Sequence, residues 1–85
     1  MMGENVIGFI KFETVKDVKN FVEFISNFPE DYYLISDRYK IDAKSIMGIF
    51  SLDLSKPIQI ITTNKNISSF IEEFKKQNFK IGVNE

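Results

Sequence analysis

Lys44-Ser45-Ile46-Met47-Gly48-Ile49-Phe50-Ser51-Leu52 is the stretch whose reading decides the fold of this chain. A serine ahead of an apolar run is a strong helix N-cap, because its oxygen accepts from a backbone N–H of the first turn. The run therefore predicts a short helix from Ile46 to about Leu52, capped by Ser45. Ile46, Ile49 and Leu52 recur every third residue and give a buried face, with Met47 and Phe50 on the neighbouring face. Gly48 weakens such a helix by up to ~1 kcal/mol. A helix this short and weak has to be held by packing against something else.

The flanks show what that is. On the C-terminal side, Ser55-Lys56-Pro57 reads as a loop and Ile58 to Thr62 as a strand. Asn66 then caps a last helix with an apolar stripe of Ile67, Phe70, Ile71 and Phe74, fraying near Gln77 or Asn78. Glu72 and Lys76 stand four residues apart, a favourable pair on that helix. On the N-terminal side, Tyr32–Ile35 and Tyr39–Ile41 are rich in strand formers. Ser36-Asp37-Arg38 joins them as a hairpin, without the Asn-Gly or Asp-Gly pair that favours a two-residue loop.

Further back, Val15, Val18, Phe21, Val22 and Ile25 fall at helical spacing. Thr14 caps that helix, and Asp17 favours the positive end of its dipole. It stops near Asn27, because Pro29 disfavours helical geometry at Phe28. Val6 to Phe12 is a strand in which Val6, Gly8, Ile10 and Phe12 share one parity, with Gly8 marking a bulge or a close backbone approach. The order is strand, helix, strand, strand, helix, strand, helix. Three helices with apolar stripes need a sheet face to cover. A two-layer α/β architecture, helices on one side of an antiparallel sheet, satisfies that need within one domain, residues 1–85.

Composition narrows the function. Eleven basic and 12 acidic residues give a net charge of -1, against the basic surface that nucleic-acid binding needs. Cysteine and histidine are both absent. That removes disulfides, thiolate chemistry and zinc sites. No acidic residues have calcium-loop spacing, so no metal or cofactor is expected. No stretch reaches the ~18 apolar residues of a membrane span, and Met1-Met2-Gly3-Glu4-Asn5 lacks signal-peptide layout. A cytoplasmic protein is the expectation. The chain shows no nucleophile–base pair, metal-ligand cluster or glycine-rich phosphate loop, so an enzyme is not expected.

The quoted run resembles the serine segment of HPr, the small phosphocarrier of the bacterial sugar phosphotransferase system. Lys44-Ser45-Ile46-Met47-Gly48 and Ser51-Leu52 stand as in that family's pattern, and the element order is also the family's. Elsewhere the resemblance is one of pattern and length. It implies an open-faced β-sandwich: a four-stranded antiparallel sheet of order 1-4-2-3 with three helices on one face. The run departs at Phe50, where HPr commonly has methionine, and at Asp53, where it commonly has glycine.

The family's carrier site resembles Gly-Ile-His-Ala-Arg-Pro-Ala leading into the first helix. Counting back without gaps from Ser45 puts Thr14 at the histidine, Lys16 at the arginine and Asp17 at the proline. Threonine cannot take a phosphoryl group from a phosphohistidine donor as imidazole does. The resemblance is thus to a histidine-less paralogue. In HPr of Gram-positive type the serine is phosphorylated by an ATP-dependent kinase, and the product is a regulatory ligand.

By that resemblance Ser45 is a regulatory phosphosite, and Ile46, Met47 and Phe50 form a partner-binding patch. Spacing alone would put Met47 and Phe50 in the core. Lys16 and Lys19 supply a positive rim. The implied partner is a protein: a transcriptional regulator, the HPr kinase or a phosphotransferase component. The alternative function is that of a phosphocarrier component of the same system. Tyr32, Tyr33 and Tyr39 read as sheet packing with their hydroxyls reaching water. The sequence leaves the oligomeric state open.

Overall fold

The computed structural model describes residues 5–63, 67–77 and 80–83, with Asn5 and 80–83 taken by their backbone. The elements run β1 (Asn5–Lys11), α1 (Val15–Ile25), β2 (Tyr32–Ser36), β3 (Tyr39–Asp42), α2 (Ile46–Phe50), β4 (Ile58–Thr62), α3 (Ser68–Lys75) and β5 (Lys80–Val83). The sheet order is β3-β2-β4-β1-β5, with every pairing antiparallel. The first four strands thus take the expected order 1-4-2-3. A fifth strand, absent from the sequence reading, adds to the free edge of β1, setting Lys80 to Val83 opposite Lys11 to Gly8.

One hydrophobic cluster lies between the layers. α1 contributes Val18, Phe21 and Ile25, α2 contributes Ile49, and α3 contributes Phe70 and Phe74. The sheet answers with Ile7, Ile10, Tyr32, Leu34, Ile58 and Ile60. Its centre is aromatic. Phe70 stacks on Tyr32 with ring centres 4.7 Å apart and on Phe74 at 5.4 Å, while Phe28 meets Phe70 edge-on at 5.0 Å. Such contacts contribute beyond simple area burial.

Four details differ from the sequence reading, each for a local reason. The register of β1 against β4 shifts between Val6 and Gly8. That bulge inserts one residue and reverses the parity, so Ile7 is fully buried while Val6 is 37% exposed. Val15, at the start of α1, lies outside the helix stripe and is exposed. The hairpin closes on the two residues Asp37-Arg38, with Asp37 at φ 55. Aspartate tolerates this left-handed conformation better than most residues. Tyr32 is fully buried, and its hydroxyl donates to Glu30 Oε1 at 3.4 Å rather than reaching water.

The helix ends also differ. α2 stops at Phe50, where Ser51 caps it, but Leu52 remains in the core. Lys76 pairs with Glu73 at 3.5 Å, not with Glu72. The Asn66 cap lies outside the described residues. The Thr14 cap is present in full. Asp17 N–H donates to Thr14 Oγ1 at 3.0 Å, while Thr14 N–H and Glu13 N–H donate to Asp17 Oδ2 at 3.1 and 2.9 Å. This is a reciprocal capping box.

Candidate functional site

The site is built on α2 and the residue ahead of it. Ser45 is exposed, with extended backbone, and its side-chain oxygen accepts from Gly48 N–H at 3.2 Å. Gly48 makes this closeness possible. A Cβ there would stand 3.2 Å from Ser45 Oγ and 3.4 Å from Ile41 Cδ1. The glycine that weakens the helix therefore lets it sit down on β3 and lets its cap close.

α2 divides its side chains sharply. Ile49 is fully buried, and Ile46 is half-buried against the core. Met47 is 75% exposed and Phe50 37% exposed. An apolar pair is thus left partly in solvent beside the capping serine.

The sequence reading missed how the segment is anchored. Lys44 turns inward and is half-buried. Its ammonium donates to Phe28 O at 2.6 Å and to Glu30 O at 2.9 Å, and lies 5.9 Å from the Tyr32 ring centre. Lys44 N–H donates to Asp42 Oδ1 at 2.9 Å, and Ser45 N–H to Asp42 O at 3.0 Å. The position of Ser45 is thus tied to the Pro29 loop. The available signal was Pro29 itself: a chain leaving a helix ahead of a proline presents carbonyls without helical donors.

Thr14 caps α1, and Lys16 and Lys19 stand on it, all three exposed. They are on a different element from Ser45, Met47 and Phe50, but α1 packs directly on α2. At the start of α1 the Asp17 N–H donates to Thr14 Oγ1, and the Thr14 and Glu13 N–H groups donate to the Asp17 carboxylate. Among the described residues no cluster of three metal-ligating side chains occurs. No helix among them is long and apolar enough to cross a membrane.

No protein-family model and no curated protein matches this chain. Among solved structures it is similar to HPr-C-His from Thermoanaerobacter tengcongensis. The two are 29% identical over 85% of this chain and 84% of that one, with a TM-score of 0.62. With the strand order and the three helices on one sheet face, this likeness shows that the chain has the HPr-like fold.

Proposed function

We propose that this chain is a protein-binding regulatory module related to phosphotransferase-system proteins, switched by phosphorylation of Ser45, and not a phosphocarrier. The observation that carries the reading is the absence of histidine from a chain of HPr-like fold. Phosphohistidine carriage needs an imidazole nitrogen as nucleophile. Thr14, proposed to stand at the histidine's position, has its hydroxyl oxygen engaged by Asp17 N–H. Asp17 also holds a carboxylate at that helix start, where an incoming phosphate would be repelled.

Ser45 has a different setting. It is exposed and already oriented toward the first amides of α2. A phosphate there adds nearly two negative charges beside Met47 and Phe50 without requiring any refolding. In the proposed mechanism Ser45 Oγ attacks the γ-phosphorus of ATP on a kinase, loses its proton, and ADP leaves. Ile46, Met47 and Phe50 then form the apolar part of the partner contact, and Lys16 and Lys19 the positive rim. The partner is a transcriptional regulator, the kinase itself or a phosphotransferase component.

Incubation with phosphoenolpyruvate and enzyme I tests the reading against the carrier alternative. The expected result is no acid-labile phosphoryl group on this chain while ordinary HPr in the same tube is labelled. Labelling of this chain would return it to the carriers. Met47→Ala with Phe50→Ala is expected to leave the melting temperature nearly unchanged and to abolish partner binding.

A further inference from the structure

The helices cover one face of the sheet, and the other face carries its own pattern. Cross-strand register aligns Asp42, Tyr33, Ile61 and Val6 in a row across β3, β2, β4 and β1. The adjacent row on the same face is Lys40, Ile35, Gln59 and Phe9. The solvent side of an antiparallel sheet is ordinarily polar. Here Val6, Phe9, Tyr33, Ile35 and Ile61 make it mainly apolar. Ile61 is only 3% exposed yet belongs to no part of the core under the helices. Its cover comes from this outer face. Val6 and Phe9 stay 37% and 44% exposed beside it.

The two rows complement each other. A two-fold axis running across the strands, between the rows, lays each row on the other row of a second copy. Val6 then meets Phe9, Tyr33 meets Ile35, Ile61 meets Gln59, and Asp42 meets Lys40, each twice by symmetry. Lys40 is placed for this: its ammonium lies over the Tyr33 ring, 4.7 Å from the centre. Asp42 is held at the end of its strand by Lys44 N–H.

We propose that this open face is a self-association surface, occupied by a second copy of the chain in a face-to-face, two-fold dimer with reciprocal Asp42–Lys40 pairs. The sheets pack in the aligned manner, about 30° apart. Four strands ~4.8 Å apart, each about five residues long, give a footprint of roughly 300 Å² per copy. That is small for a specific interface, so the dimer forms and dissociates readily with concentration. The surface is separate from the Ser45 patch, which stays open in the dimer.

Sedimentation equilibrium from micromolar to about 1 mM protein tests this. The average mass is expected to rise toward the dimer with concentration, and Phe9→Asp is expected to remain a monomer throughout. Lys40→Asp and Asp42→Lys should each weaken association about tenfold, by setting like charges opposite each other twice. An equimolar mixture of the two should recover it, because the mixed dimer restores both pairs. Circular dichroism confirms that each variant is folded; Asp42→Lys removes the acceptor of Lys44 N–H, and if it fails, Phe9→Asp and Lys40→Asp decide alone. A monomer at the highest concentration overturns the proposal, leaving the face to some other partner. A dimer unaffected by Phe9→Asp and Lys40→Asp, or a mixture no tighter than its parts, overturns it equally.

Discussion

Thr14 and Ser45 have the same local task and different surroundings. Both cap a helix with a side-chain oxygen. Thr14 is locked into a box with Asp17, whereas Ser45 makes one cap bond and stands beside exposed apolar side chains. Thr14→Ala is expected to cost about 1 kcal/mol in urea unfolding and to leave any modification of Ser45 unchanged. A change in Ser45 modification would mean that the two caps belong to one site. The α2–β4 loop offers a second residue-scale test. The Ser55 hydroxyl and N–H donate to Asp53 Oδ1 at 2.6 and 3.1 Å and hold its carboxyl below the ordinary value, with Lys56 adding a smaller pull. A carboxyl lowered by folding stabilises above its unfolded pKa, and that contribution is lost as pH falls through the folded one. The loop is therefore firmest above the ordinary carboxylate range and loosens in acid below it. Ser55→Ala should raise the Asp53 midpoint in an NMR titration; an unmoved midpoint would show that the hydroxyl hydrogen bond does not form in solution.

At the scale of elements, α2 is too short to persist by itself and is kept in place by its neighbours. Ile49 goes into the core, Gly48 allows close approach to Ile41, and Lys44 ties the preceding residues to the carbonyls of Phe28 and Glu30. Lys44→Met keeps most of the apolar stem and removes those bonds. It is expected to cost about 2 kcal/mol by urea denaturation; a loss near zero would mean that water replaces the ammonium without penalty. Strands β2 to β4 were legible in the sequence because Tyr32–Ile35, Tyr39–Ile41 and Ile58–Thr62 are rich in strand formers, and helix α1 because Val18, Phe21, Val22 and Ile25 recur at helical spacing. The start of β1 was not, because the bulge at Ile7 turns Ile7 inward and Val6 outward. β5 was missed because Lys80–Val83 is four residues long with a glycine inside, and it gains strand geometry only by pairing with the edge of β1. The site was partly legible. Ser45 as a cap follows from residue type, but the exposure of Met47 and Phe50 was indicated only by family resemblance, since three-residue spacing fits burial equally well. The inward turn of Lys44 depends on a contact 16 residues back in the chain, which no local pattern encodes.

At the scale of the whole molecule, a small α/β sandwich is held by one aromatic pile and has a second apolar surface on its open side. Phe70 touches Tyr32, Phe24, Phe28 and Phe74. Phe70→Ala should cost about 3–5 kcal/mol, most of the stability of a domain this size, and bring the melting transition down toward room temperature by circular dichroism. A cooperative melt close to the parent's would mean that the layers are held elsewhere. The fold is HPr-like, the chain has no histidine, and Ser45 caps α2. The central claim is that function has moved to this serine. It is tested most directly by intact mass after incubation with ATP and the HPr serine kinase, with Ser45→Ala alongside. The account predicts one phosphoryl group on the parent chain and none on the variant. An unmodified parent, in a tube where ordinary HPr is fully labelled, would contradict it and leave Ser45 as a helix cap alone.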